Sequence, residues 1–417
     1  MTILPTILHA LVDCLCVAAV TVLYGVAGAP GGFLGVVLCY NVAAFLSQPF
    51  TGLVCDHMGR ADLQLLVSAL LLCVGVALLP WANAYVVAAA LGLGNSLFHV
   101  WGGRVVALGS GNDMRHLGVF VSAGALGLGC AAVWPSVLLV VGCLVGVCVG
   151  CLAVVLWRPR PASLVAPAAP PLSGGWLLWG GVLLVMLAVM LRSFVGEVFA
   201  RGLSLAGPSP LLVGAMVMAG KATGGFVARA AGWQRAAAVL VVGTTACLLL
   251  RGHGLPVAVA GLLMVNATMA ITLYLANRLL PGSEGLAFGL LAAALMPGYL
   301  LSQVGADVGS MLPRLLWTLV PTVLIELAVL WLLLERRSRV LASSVLVNVL
   351  TNVPLNLLLL FYGVTATGVV AGELVVLLLE WLWYWRLTRR LGLSFLYSLL
   401  CNGFSFFLGL LAQVCMA

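Results

Sequence analysis

The sequence predicts an all-α polytopic membrane protein, on three observations. Hydrophobic residues make up 64% of the 417-residue chain and charged residues only 7%, too few to cover a soluble surface. Mean hydropathy is +1.22, and the apolar runs are about 20 residues long, the length a helix needs to cross roughly 30 Å of hydrocarbon. The runs are continuous, without the alternation of a membrane β-barrel, so the backbone must be satisfied inside helices. Glycine, at 49 residues, suits close helix contact in lipid.

Fifteen apolar segments follow in order. Six lie at about 4–27, 32–55, 63–82, 84–106, 116–135 and 137–157. Six more lie at about 176–200, 209–229, 234–251, 255–277, 285–308 and 315–334. Three close the chain at about 341–361, 365–386 and 393–415. The break between the first two sets, RPRPASLVAPAAPPLSG at 158–174, carries five prolines and suits a semi-extended tether. The expected organisation is a six-helix bundle at 1–157, a cytoplasmic linker at 158–174, a second bundle at 175–337 and an extra module of about three helices at 338–417. The first segment lacks a basic leader and contains Asp13, so it reads as a retained span and not a cleaved signal peptide.

Charge fixes an expected orientation. Threading the segments from a cytoplasmic N-terminus puts fourteen arginines on the cytoplasmic side and three, Arg201, Arg251 and Arg314, outside. This is the positive-inside pattern, and it sends the C-terminus outside. The net charge of +8 sits in short loops with no basic patch interleaved with aromatics, so no nucleic-acid partner is expected. Cys148 and Cys151 form C-x-x-C on an apolar helix with no second ligand pair, so they read as small packing residues; no metal or cofactor is expected.

A glycine turn closes the second segment as Gly52-x-x-x-Asp56-x-x-Gly59-Arg60. It echoes 173 residues later as Gly225-x-x-x-Arg229-x-x-Gly232, at the end of the eighth segment. Parallel six-span repeats produce such an echo. The first segment contains His9-x-x-x-Asp13, the second Gln48-Pro49-x-x-Gly52, and the fourth Gly92-x-Gly94-Asn95-x-x-Phe98-His99.

These motifs resemble the major facilitator superfamily, most closely its fosmidomycin-resistance branch, over about residues 4–335. The resemblance implies two six-helix bundles that move a small molecule by alternating access. It implies a cytoplasmic gating loop at Gly52, Asp56, Gly59 and Arg60, whose acid meets a helix end and a base of the other half in the outward-facing state. Val100 stands where that branch usually has proline after Phe-His. Residues 338–417 fall outside the resemblance.

Ionisable residues inside spans cost several kcal/mol and mark candidate sites. His9 and Asp13 share one helix face, with Asp13 about nine residues, roughly 14 Å, from the cytoplasmic end of its span. The pair suits proton coupling or substrate contact; the competing reading is a structural tie between helices. Lys221, the one lysine in the chain, falls near mid-depth and suits an anion or a pairing with Asp13. Arg192, Glu197 and Arg201 approach the outer end of the seventh segment, where Glu197 and Arg201 are spaced to pair. His99 and Asn266 complete the candidate pathway. Asn348, Asn352 and Asn356 form one stripe, and Glu373 and Glu380 another; these are expected to dock on each other or on Glu326.

The reading is a proton-coupled secondary transporter in the cytoplasmic membrane, exporting an anionic or zwitterionic drug or metabolite. Its expected partners are the solute, protons and membrane lipids, with residues 338–417 open to a membrane-protein partner. The alternatives are a proton-coupled uptake symporter, or a non-transporting sensor or assembly protein that keeps the transporter fold. An enzyme is not expected, because no nucleotide loop and no Ser/His/Asp set is present.

Overall fold

The computed structural model describes residues 2–27, 33–58, 61–157, 175–250, 253–304, 308–333, 335–362 and 365–416. All regular elements among them are helices. In chain order these are α1 (Ile3–Ala27), α2 (Phe33–Asn41), α3 (Gln48–His57), α4 (Ala61–Leu78), α5 (Ala84–Gly109), α6 (Met114–Val133) and α7 (Val137–Trp157). Then come α8 (Trp176–Leu205), α9 (Pro210–Ala231), α10 (Trp233–Leu249), α11 (Leu255–Ala267), α12 (Met269–Leu279) and α13 (Glu284–Val304). The last are α14 (Val308–Leu332), α15 (Ser338–Tyr362), α16 (Ala366–Thr388) and α17 (Leu391–Met416). Linker 158–174 lies outside the described residues.

The chain is a multi-pass membrane protein. Among the described residues, eleven helices are long and apolar enough to cross a bilayer, and four shorter apolar helices occupy the remaining expected segments. Large apolar side chains face outward along these helices; Leu138 is 82% exposed and Val242 68%. Such a surface is unfavourable in water and matched to lipid.

Local chemistry explains the helix boundaries. Asn83, Asp113, Ser209 and Thr365 each accept a backbone N–H of the first turn of the helix they precede, at 2.8–3.3 Å. Pro210 follows Ser209 at the first helical position, where its missing N–H is harmless. The second expected span is not one regular helix. A π-helical stretch, Val42–Leu46, separates α2 from α3 just before Pro49. Proline donates no N–H and crowds the carbonyl four residues earlier, so the ladder widens there.

The described chain forms two compact units. One comprises residues 1–169 and 185–302, the other residues 170–184 and 303–417. The twelfth expected span, α14, and the start of the seventh, up to residue 184, fall in this second unit.

Within the first unit, α6 and α9 make the most extensive helix pair. A Cβ on Gly225 would lie 2.2 Å from the Met114 carbonyl oxygen, one on Gly214 2.6 Å from that of Ala125, and one on Gly118 2.8 Å from that of Lys221. Only glycine allows this approach of backbones. Gly52 is as crowded, since its Cβ would lie 2.3 Å from the Gly285 carbonyl oxygen at the start of α13. The two sequence echoes therefore do equivalent jobs: Gly52 seats α3 on the start of α13, and Gly225 seats α9 on the start of α6.

In the second unit, buried polar groups stitch four helices together. Glu326 of α14 accepts from Asn348 of α15 at 2.8 Å and from Ser405 of α17 at 3.4 Å. Glu380 of α16 accepts from Thr351 of α15 at 3.1 Å and from Asn402 of α17 at 2.7 Å. The asparagine stripe does reach Glu326 through Asn348, while Asn352 and Asn356 bond along their own helix.

Candidate functional site

Seven residues singled out from sequence, His9, Asp13, His99, Arg192, Glu197, Lys221 and Asn266, line one cavity of about 540 Å³ in the first unit. Its walls come from α1, α2, α3, α5, α6, α8, α9, α11, α12 and α13. Most of the lining is apolar, with aromatic faces from Tyr40, Phe45, Phe288 and Tyr299. The π-helical break turns Asn41, Phe45 and Gln48 onto this wall.

Asp13 is the hub of the polar part. His9 Nε2 lies 3.3 Å from Asp13 Oδ2, and His99 Nε2 lies 3.4 Å from Oδ1. Asn95 Nδ2 donates to Oδ1 at 3.1 Å. The two imidazoles meet edge to face, with ring centroids 4.4 Å apart. Each ring also touches a backbone carbonyl through Nδ1: His9 with Phe120 at 2.8 Å and His99 with Asn95 at 2.9 Å. A carbonyl can only accept, so Nδ1 carries the hydrogen in both rings. In the neutral rings, both Nε2 lone pairs then face a carboxylate. Lone pairs opposed to a carboxylate repel, so the cluster calls for a cation between them: a proton or a metal ion.

Gly124 of α6 makes room for this cluster. A Cβ there would lie 2.2 Å from Asp13 Oδ2 and 2.6 Å from His9 Nε2. Nothing in the sequence separates Gly124 from the neighbouring glycines Gly127 and Gly129 of the same segment. Asn95 was visible only as a motif letter, and nothing in the sequence showed which side chain it would meet.

The same cavity also carries two cations, Arg192 and Lys221. Arg192 is buried, and its Nε and Nη2 find no hydrogen-bond partner among the described residues. Lys221 makes no hydrogen bond or direct ion pair among the described residues, and the expected pairing with Asp13 is not formed, because the histidines and Asn95 occupy the carboxylate. Gln48 Oε1 is a buried acceptor without a hydrogen-bond partner among the described residues. Asn266 spends its Nδ2 on the Leu262 carbonyl of its own helix, at 2.9 Å. The expected Glu197–Arg201 pair is also not a direct contact: Arg201 donates to Ser302 Oγ at 2.9 Å.

At one end of the unit, Asp56 is buried and caps a helix across the fold. Its Oδ1 accepts the Gly285 N–H at 2.9 Å, and its Oδ2 accepts that of Leu286 at 2.8 Å, both in the first turn of α13. A carboxylate there meets the positive end of the helix dipole. Arg104 Nε completes the site as an ion pair at 3.1 Å. Arg104 belongs to α5, in the same six-segment set as Asp56, whereas the resemblance implies a base of the other half. Gly59 and Arg60 lie outside the described residues.

The second echo lacks this acid, because Arg229 stands in its place, yet the start of α6 is still capped. Its own Asp113 accepts the Arg115 N–H at 2.8 Å and pairs with the Arg115 side chain at 2.7 Å. The Arg115 guanidinium holds the Asp113 carboxyl below its usual range. A second clasp lies nearby: Asn112 donates to the Tyr274 carbonyl at 3.2 Å and accepts from Asn277 at 2.9 Å. No family model matches this chain, and no curated protein matches it.

Proposed function

We propose that this protein is a secondary active transporter of the cytoplasmic membrane, with a major-facilitator-like core of two six-helix halves and three further spans. It exports a small anionic or zwitterionic solute by alternating access, coupled to protons held at Asp13. The observation that carries the reading is the lipid-embedded cavity itself. It brings an acid with two histidines and two cations to one cavity, inside helices where a lone charge is costly.

The parts divide the work. Arg192 and Lys221 attract the acidic group of the solute; a planar guanidinium with unused N–H groups suits a carboxylate or phosphonate. The apolar and aromatic walls take the rest of the molecule. Asp13, His9 and His99 hold the coupling proton. The pairing of α3 with α13 and of α9 with α6 supports a pseudo-twofold relation between the halves.

With the N-terminus in the cytoplasm, the Asp56 cap and the Asn112 clasp close the cytoplasmic side. Both exist only while the halves are together on that side, so each biases the balance between inward- and outward-facing states. In this reading the chain is in an outward-facing state, the one from which an exporter releases its solute.

Proton movement in proteoliposomes tests the reading. The protein is challenged with a panel of organic anions, zwitterions and cations, fosmidomycin included. Solute-driven proton flux is expected in the wild type and lost in Asp13→Asn. Solute flux that persists unchanged in Asp13→Asn would refute the coupling role. A panel that drives no flux at all would favour the non-transporting sensor or assembly protein.

A further inference from the structure

The hub around Asp13 has the makings of a metal site. Nitrogen or oxygen ligand atoms of His9, Asp13 and His99 all lie within 4.8 Å of one another, and all three residues are buried. Zinc bonds to histidine nitrogen and carboxylate oxygen are about 2.0–2.2 Å, so the edge of a tetrahedral site is about 3.3–3.6 Å. His9 Nε2 lies 3.3 Å from Asp13 Oδ2 and His99 Nε2 lies 3.4 Å from Oδ1, so each histidine stands one such edge from the nearer oxygen of the shared carboxylate.

The outer contacts fit as well. Metal-bound histidines donate their other ring N–H to a carbonyl or carboxylate, which fixes the tautomer and aims the free lone pair. Both Nδ1 atoms here meet backbone carbonyls. Asn95 holds the third ligand through Asp13 Oδ1. Gly124 keeps clear the space that a methyl group would fill.

We propose that His9, Asp13 and His99 bind one divalent transition-metal ion of the zinc class, through the two Nε2 atoms and the Asp13 carboxylate. Two neutral nitrogens and one carboxylate leave the ion with a net positive charge. Its open position faces the cavity that Lys221 and Arg192 also line. Water, hydroxide or the acidic group of a solute takes that position and separates the metal from those cations. The proton assigned to Asp13 and the metal ion use the same electron pairs, so they are alternative occupants. The site does not depend on the transport reading: it exists at equilibrium, and transport can stand without it.

The test is equilibrium titration of tag-free, full-length protein in detergent with Zn²⁺ alone, followed by calorimetry, and with Co²⁺, followed by absorption. One saturable site per chain is expected. His99→Gln should weaken zinc binding at least about 100-fold, beyond the 10–100-fold typical of an outer partner, and Asn95→Ala about tenfold. The Co²⁺ ligand-field band of a low-coordinate site should disappear in Asp13→Asn. Should His99→Gln fail to fold, His9→Gln and Gly124→Ala give the same reading. Cys73 and Cys148, whose sulfurs are 3.6 Å apart, are the rival ligands, so Cys148→Ser should leave binding unchanged. No saturable site, binding unaltered by either histidine change, or binding abolished by Cys148→Ser would overturn the proposal.

Discussion

Asp13 and Asp56 show how far single residues can be read from the chain. The spacing of His9 and Asp13 puts them on one helix face, and that much is legible without a structure. The meeting with His99 and Asn95 of α5 is not, because helix periodicity says which face a residue occupies but not which helix crosses it. The same holds for Asp56 and Arg104. Spacing can also mislead: Glu197 and Arg201 are four apart, but Arg201 is taken by Ser302. Reach along a helix is a weak constraint when a partner on another helix offers a better-placed oxygen. The Asp56 cap gives a prediction at this scale. Asp56→Ala leaves two α13 N–H groups and the Arg104 guanidinium without their acceptor. Breaking one partner of a buried ion pair costs about 3–5 kcal/mol. The amides of Gly285 and Leu286 should exchange hydrogen faster by mass spectrometry, while those of α7 should not change. Unchanged protection at α13 would remove Asp56 from the latch.

Elements were the most legible level. Fifteen apolar runs mark the helices because lipid demands length and apolarity, and both are local in sequence. The π-helical break before Pro49 was not foreseen, though the proline was the signal for it. The glycine echo pointed to repeated units but not to their contacts. Those depend on which backbones come together, and glycine only permits the approach. The α6–α9 pair is therefore a direct test of tight packing. Gly225→Ala places a methyl group against the Met114 carbonyl, and overpacking of this kind costs about 1–3 kcal/mol. Thermal unfolding should shift downward for Gly225→Ala and not for Gly142→Ala, since Gly142 has open space around its missing Cβ. Equal behaviour of the two variants would mean that the α6–α9 contact is not a tight one.

At the scale of the whole molecule, composition identified the solvent as lipid but could not place the boundary between compact units. The twelfth span groups with the last three because the donors to Glu326 come from α15 and α17. Such long-range bonds have no local signature. The second unit also carries a pH-sensitive tie outside its spans. Burial pushes the Glu335 carboxyl upward, but hydrogen bonds from the side chain and backbone of Arg337 and from Tyr397 outweigh it and hold the group below its ordinary value of 4.5. A depressed folded-state value means stability that is present above pH 4.5 and lost as pH falls through the folded value. Thermal stability of the wild type should drop on acidification through that range, and less so for Glu335→Gln. Alternating access itself is tested most directly by labelling one cavity residue from both sides of the membrane. Ala292→Cys, in a background with the twelve native cysteines replaced, puts a thiol on the cavity wall. Alternating access predicts modification by an impermeant maleimide from either face, with Asp56→Asn raising the rate from the cytoplasmic face. Modification from one face only, unchanged by Asp56→Asn, would contradict it.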